Sequence, residues 1–93
     1  VDAREAYRIG LVNRVVPLAE LMPTAEALAR RINENGPLAV RTAKEAAYRG
    51  IRMPLSDALH LERSLLQNLY TTQDAKEGPL AFAMKRKPEY KAR

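Results

Sequence analysis

The residues best suited to binding chemistry lie near the end of the sequence, in the run Lys85-Arg86-Lys87. Phe82 and Tyr90 flank this run, and residues 85–93 carry five cations against one carboxylate, which accounts for most of the net charge of +5. Cations beside aromatic rings are typical of sites that hold phosphates and stack on a base. The pattern predicts a polyanionic partner, whether a nucleic acid, an anionic membrane or a phosphorylated cofactor. Two plainer interpretations stay open: a solvated, frayed tail, and a Phe82 buried in the core with Leu80.

A second group, Asp57, His60 and Ser64, places an acid, a histidine and a hydroxyl on the polar face of one predicted helix. These are the residue types of a hydrolytic triad, which also needs an oxyanion hole and a shaped pocket around the nucleophile. One exposed helical face supplies neither. We therefore interpret the spacing as coincidental.

Glu62 projects from the middle of a leucine-rich helical stripe. A buried carboxylate must be paired, hydrogen-bonded or protonated, because leaving it isolated costs several kcal/mol. One interpretation is a catalytic acid. The favoured interpretation is an ion pair with an arginine of this chain or of a neighbouring subunit. The candidate partners in the sequence are Arg30, Arg31, Arg41, Arg49 and Arg52.

Composition limits the other kinds of site. The chain has no cysteine and one histidine, which argues against thiolate and most histidine metal sites, and its four glycines are isolated rather than grouped in a phosphate loop. We expect no metal and no permanently bound cofactor. No apolar run reaches membrane-spanning length and the N-terminus lacks the features of a signal peptide, so we expect a cytoplasmic protein without a membrane partner.

Hydrophobic periodicity predicts a mainly α chain of four to five helices with one short N-terminal strand. The first helix covers Ala3 to Ile9 and ends at Gly10 in the left-handed conformation. The strand follows at Leu11–Val16 and stops at Pro17. A lone strand leaves its backbone groups without partners and the chain starts without Met, so we expect further sequence on the N-terminal side.

The remaining helices are predicted from stop signals and caps. The expected spans are Leu18–Asn33 with Pro23 near its start, Pro37–Tyr48 capped by Gly50, a helix capped by Ser56 or Asp57 and ending at Tyr70, a turn Gln73–Glu77 capped by Thr72, and a final helix beginning at Pro79 after a break at Gly78. Apolar residues fill half the circumference of the Leu55–Tyr70 helix, so we expect its burial against two bodies. With few large aromatic residues, the chain alone would have a thin core.

Three stretches resemble the C-terminal segment of the enoyl-CoA hydratase/isomerase (crotonase) superfamily. They are AREAYRIGLVNRVV at Ala3–Val16, GPLAVRTAKEA at Gly36–Ala46, and TQDAKEGPLAFAMKRKPEY at Thr72–Tyr90, of which the last is the most specific. The resemblance implies a parent α/β fold, a crotonase-like spiral followed by a C-terminal helical trimerisation region. Residues 1–16 would end the spiral core, and residues 17–93 would form the helical region.

The resemblance also implies an enzyme of fatty acid metabolism, a lyase or isomerase that acts on acyl-CoA thioesters by hydration of 2-enoyl-CoA or related enolate chemistry. Family catalysis uses an oxyanion hole of two backbone N–H groups and, in hydratases, two glutamates; all lie in the spiral, so no catalytic residue is expected here. The expected partners are the acyl-CoA substrate, whose coenzyme A is part of the thioester, and further copies of the chain in a trimer or a dimer of trimers.

In that family a basic residue of the closing helix lies near the nucleotide end of coenzyme A, and it corresponds to Lys85. An aromatic residue near the adenine in some members corresponds to Leu66, where this sequence departs from the pattern, and Tyr70 lies one turn on as a substitute. The expected coenzyme A-binding residues are Lys85, Phe82, Leu66 and Tyr70. The alternative is a basic helical module that binds nucleic acid or an acidic partner, although the resemblance makes nucleic acid an unexpected ligand.

Overall fold

The computed structural model describes all 93 residues, and its regular structure is entirely helical. The five helices are α1 (Ala3–Arg8), α2 (Leu18–Asn33), α3 (Pro37–Gly50), α4 (Leu55–Tyr70) and α5 (Gln73–Ala83). The predicted mainly α fold class is confirmed. The chain divides into two compact units, residues 1–31 and residues 32–93. None of the helices combines the length and the apolar character needed to cross a membrane.

The first unit begins with α1, whose ends are set by local hydrogen bonds. The Asp2 carboxylate accepts a hydrogen bond of 2.8 Å from the Glu5 amide at the start of the helix. Beyond its end, Gly10 adopts a φ of +78°, and the Leu11 amide donates back to the Ala6 carbonyl at 2.8 Å. The predicted left-handed glycine after the first helix is confirmed.

The strand predicted over Leu11–Val16 does not form, and that prediction is wrong for this chain. Its β-branched residues favour extended backbone, but a strand also needs a neighbouring strand to take up its hydrogen bonds. The chain contains no other strand. The Leu11 and Val12 amides both donate to the Ala6 carbonyl instead, at 2.8 and 3.3 Å.

α2 has the predicted bounds, and Pro23 lies inside it. In the second unit, α3 packs against α4 and α4 against α5. Gly50 was predicted to cap α3 from outside the helix, but it is the last residue of α3. A Cβ atom at Gly50 would lie 3.4 Å from the Cβ of Ala58, so this glycine allows the two helices to approach closely.

α4 differs from prediction at its start, and α5 differs in its middle. Pro54 precedes α4 without a side-chain cap, because Ser56 and Asp57 already lie in its first turn. Thr72 does cap α5, and its hydroxyl accepts a hydrogen bond of 3.2 Å from the Ala75 amide. The predicted break at Gly78-Pro79 is wrong, since α5 continues through both residues. Contacts from the C-terminal residues, described below, hold the helix on both sides of this pair.

The chain has a thin core, as its composition predicts. Ala6 and Ala81 are the only buried apolar side chains, and no large side chain is fully buried. In α4, Leu55 is 74% exposed and Leu59 is 52% exposed. The apolar stripe of α4 therefore remains partly exposed in this chain, and its burial against a second body stays a prediction.

Candidate functional site

The candidate site is built around the end of α5, where the chain reverses at Lys85. The Lys85 amide donates to the Phe82 carbonyl at 3.1 Å, and the Arg86 amide donates to the Ala81 carbonyl at 3.0 Å. These two bonds form a Schellman motif, whose turning residue adopts the left-handed conformation. That residue is usually glycine, but here it is Lys85 with a φ of +53°. A side chain at such a position costs of order 1 kcal/mol.

Glu77 holds the segment that follows the reversal. The Arg86 guanidinium donates to both oxygens of Glu77, from Nη1 to Oε1 and from Nη2 to Oε2 at 3.1 Å, and the Glu89 amide donates to Oε1 at 2.8 Å. The hydrogen bond from Arg86, followed by that from the Glu89 amide, lowers the pKa of the Glu77 carboxyl from 4.5 to about 2. Glu77 therefore remains ionised and bound to the tail at neutral pH.

Asp74 anchors the last residues of the chain to the start of α5. Its carboxylate accepts hydrogen bonds of 2.8 Å from the amides of Lys91 and Ala92, and its own amide donates to the Arg93 carbonyl at 2.9 Å. The side chain is buried, with 6% of its surface exposed. The bond from the Asp74 amide to the Arg93 carbonyl also gives a partner to one of the amides that a helix leaves free at its N-terminus.

Tyr90 completes the attachment of the tail. A Cβ atom at Gly36 would lie 3.5 Å from its ring, and a Cβ atom at Gly78 would lie 3.3 Å from its hydroxyl oxygen. The ring therefore lies between the loop before α3 and the middle of α5, where two glycines make room for it. The tail is solvated, as one interpretation had it, because all of residues 86–93 except Tyr90 are exposed. It is not frayed, since hydrogen bonds to Asp74 and Glu77 hold these residues back against α5.

The cations of the tail differ in what they contact. Arg86 is paired with Glu77, whereas Lys85 and Lys87 make no ion pair within the chain. Phe82, one turn before Lys85, is 86% exposed, and Leu80 is 52% exposed. The interpretation of Phe82 as a core residue is therefore wrong for this chain. An exposed ammonium and an exposed aromatic ring occur together at the end of α5, a combination suited to a ligand that is both anionic and flat.

The other two predicted ligand-binding residues lie on α4. Leu66 is 40% exposed and lines a groove between α3 and α4, while Tyr70 is 64% exposed near the end of the helix. That groove includes none of Tyr70, Phe82 and Lys85. Phe82 and Lys85 thus lie three residues apart at the end of α5, whereas Leu66 and Tyr70 lie on α4.

Glu62 lies in the same groove but is exposed in this chain, so the burial from which its pairing was predicted is absent here. It has no ion-pair partner in the chain. The walls around it are apolar and mostly small, including Ala39, Ala43 and Leu66. Two of the arginines considered as partners are used elsewhere, Arg30 by Glu26 at 3.4 Å and Arg49 by Glu45 at 2.7 Å. The predicted ion pair is therefore absent within this chain, and its version with a neighbouring subunit stays a prediction.

The group of Asp57, His60 and Ser64 has no triad geometry. The Ser64 hydroxyl donates to the His60 backbone carbonyl at 3.1 Å, and Nδ1 of His60 lies 2.7 Å from the Ser56 carbonyl. Both side chains thus bond to their own helix backbone. The interpretation of this spacing as coincidental is confirmed.

Sequence reasoning proposed Lys85 and Phe82 as site residues, which stays a prediction, and it did not foresee that Asp74, Glu77 and Tyr90 hold the tail. Asp74 and Glu77 look like ordinary acidic residues in the first turns of a helix. The available signal was indirect: an aromatic residue and two acidic residues accompany a basic run that ends in proline and turns back. Only the chain reversal at Lys85 brings them together.

The sequence matches the family model for enoyl-CoA hydratase/isomerase over residues 1–93. It is 43% identical over 90 residues to a crotonyl-CoA hydratase of Syntrophomonas wolfei, an alignment that covers 97% of this chain and 35% of that protein. It is 46% identical over 90 residues to a probable mitochondrial enoyl-CoA hydratase 2 of Arabidopsis thaliana, covering 97% and 30% respectively. The chain thus spans about a third of the length of these relatives.

The fold is similar to parts of solved structures. A crystal structure of an enoyl-CoA hydratase from Bacillus anthracis superimposes with a TM-score of 0.96 at 42% identity, covering 100% of this chain and 36% of that one. An enoyl-CoA hydratase/isomerase from Mycobacterium paratuberculosis gives a TM-score of 0.96 at 36% identity, with 100% and 37% covered. In both, the matching region is a helical part of a longer chain.

Proposed function

Because this chain belongs to the enoyl-CoA hydratase/isomerase family, as its three characteristic stretches predicted, we propose that it is the C-terminal helical part of an enzyme acting on acyl-CoA thioesters. The reaction class we propose is hydration of a 2-enoyl-CoA or related enolate chemistry. In this proposal the catalytic groups lie outside the 93 residues. The helices contribute one edge of the coenzyme A site and contacts between subunits.

The observation that carries the coenzyme A role is the state of Lys85. Its ammonium is exposed and makes no ion pair, whereas the neighbouring Arg86 is paired with Glu77. Coenzyme A carries phosphates at its nucleotide end, and an ammonium about 4 Å from a phosphate gains ~1 kcal/mol per unit charge in water. Lys85 occupies a left-handed backbone position that favours glycine. A lysine at such a strained position supports a function for its side chain.

Phe82 supports the same proposal, because an aromatic ring beside a cation suits the adenine of a nucleotide. Its ring is 86% exposed in the chain, so a ligand that covered it would remove apolar surface from water, which favours binding. Tyr70 offers a second exposed ring, on α4, and we propose it as the aromatic replacement for Leu66.

The proposal is tested by Lys85→Glu in the full-length enzyme that carries this chain. Reversing the charge should raise the KM for a short-chain enoyl-CoA about tenfold and change kcat less than about twofold, because the nucleotide end is bound equally in the ground and transition states. Lys76→Glu is the matched control, since Lys76, near the start of α5, is another exposed lysine without an ion pair. An unchanged KM in Lys85→Glu would contradict the Lys85 assignment.

A further inference from the structure

We propose that Glu77 is a positioning residue for Lys85, which it holds at the ligand through Arg86 and the tail backbone. This inference rests on the coenzyme A role proposed for Lys85. It extends that role by naming the group that fixes where the lysine lies.

The backbone at Lys85 is strained. A Schellman end forms readily with glycine at the left-handed position, because glycine has no Cβ to oppose a positive φ. Lysine at this position, with φ at +53°, favours release of the turn into an ordinary extended chain. Contacts outside the turn must therefore oppose that release.

The Glu77 carboxylate supplies those contacts. Arg86 directly follows Lys85 and donates two hydrogen bonds to Glu77, and Glu89, four residues after Lys85, donates its amide to the same carboxylate. Glu77 lies two turns earlier on α5, so it ties the segment after the reversal to the helix before it. Lys85 itself makes no ion pair in the chain, so these contacts reach it only through the backbone on either side of it.

A positioning role and a purely stabilising role of Glu77 have different effects on ligand binding. If Glu77 served only to stabilise the fold, its loss would weaken ligand binding whether or not residue 85 is a lysine. If it acts through Lys85, its loss should weaken binding only while the lysine is present. Non-additivity between the two substitutions distinguishes the two roles.

The experiment measures the affinity of the full-length enzyme for coenzyme A by calorimetry. Lys85→Gln should weaken binding about fivefold, and Glu77→Gln, which keeps the size of the side chain, should weaken it about threefold. The double substitution should bind no more weakly than Lys85→Gln alone. In turnover with an enoyl-CoA, Glu77→Gln should raise KM while kcat is kept.

Two further variants serve as controls. Glu45→Gln breaks another exposed arginine–glutamate pair of the same unit, with Arg49, and should leave coenzyme A affinity unchanged. Arg86→Gln breaks the contact with Glu77 from the other side and should reproduce the effect of Glu77→Gln. This second variant keeps the test decisive if Glu77→Gln lowers the yield of folded enzyme.

The outcomes divide clearly. A loss of affinity in Glu77→Gln that disappears in the Lys85→Gln background supports the inference. An equal loss in both backgrounds overturns it, as does an unchanged affinity in Glu77→Gln while Lys85→Gln binds weakly; both leave the proposed function standing. An unchanged affinity in Lys85→Gln overturns the coenzyme A role of Lys85 and this inference with it.

Discussion

Single acidic residues determine how the basic tail is held. Asp74 binds the backbone amides of Lys91 and Ala92, and Glu77 binds the Glu89 amide in addition to the Arg86 guanidinium. Three of these contacts are donated by main-chain N–H groups, so they do not involve the cationic side chains. The tail is thereby fixed to α5 while the ammonium groups of Lys85 and Lys87 stay free of ion pairs.

Acid should release this attachment through Glu77. Its pKa is lowered from 4.5 to about 2 in the folded chain, so the released carboxylate takes up a proton before the bound one. The contribution of Glu77 to stability is therefore complete above about pH 4.5 and is lost as the pH falls towards 2. In an NMR titration the carboxyl carbon of Glu77 should have a midpoint near 2, and the Glu89 amide should shift with it. Arg86→Gln should move that midpoint towards 4.5, whereas a midpoint already near 4.5 in the unsubstituted protein would contradict the contact.

The residue scale is also where sequence reasoning fell short. Glu77 and Arg86 are nine residues apart, a separation that no helix or strand periodicity connects. They meet because the chain reverses at Lys85, and the usual sign of such a reversal is a glycine after the last helical turn. Since a lysine occupies that position, the sequence conceals both the turn and the pair that depends on it.

At the scale of helices, local signals were reliable where no distant contact opposed them. The bounds of α2 and the left-handed Gly10 after α1 follow from caps and periodicity alone. The break predicted at Gly78-Pro79 failed, because Asp74 and Glu77 on one side and Ala81 on the other hold α5 through hydrogen bonds with the tail. Such contacts outweigh the cost of one missing amide at a proline. Tertiary contacts that local patterns do not encode decided this helix.

The packing of Tyr90 on α5 leads to a prediction about Gly78. A Cβ atom there would lie 3.3 Å from the Tyr90 hydroxyl, close enough that the ring must shift. We expect Gly78→Ala to be less favourable by about 0.5–1 kcal/mol in the presence of Tyr90 than in a Tyr90→Phe background. Any cost of alanine before Pro79 is the same in both backgrounds and cancels. Urea unfolding of the four proteins measures this difference, and equal effects of Gly78→Ala in both backgrounds would show that the hydroxyl does not pack there.

At the scale of the whole molecule, many large apolar side chains are exposed and none is fully buried. Its composition predicted the thin core, since one phenylalanine and no tryptophan leave little bulk for an interior. The width of the leucine stripe on α4 likewise predicted a second contact surface. Which part of the stripe stays open depends on how α3 and α5 pack on α4, and only the structure supplies that.

The open part of the stripe includes Leu55, at the start of α4 and 74% exposed, and it borders the groove that contains Glu62. An apolar surface with one unpaired carboxylate suits a partner that brings apolar side chains and one cation. In the proposed enzyme that partner is the remainder of the protein or a neighbouring subunit. An oligomer that buries this face should therefore be sensitive to a charge at Leu55.

We expect Leu55→Glu to weaken the proposed oligomer of the full-length enzyme without unfolding its subunits. Burial of a leucine contributes about 1.5–3 kcal/mol at a contact, so the dissociation constant should rise at least about tenfold. The subunit should tolerate the change, because Leu55 is largely exposed and an acid in the first turn of a helix is favourable. Ser56→Glu adds the same charge one residue later, on the polar side of α4. This control should leave the mass of the oligomer unchanged. Sedimentation at several concentrations, with circular dichroism as a check on folding, measures both variants. If Leu55→Glu sediments as the unsubstituted enzyme does at every concentration, this face of α4 lies outside the subunit contacts.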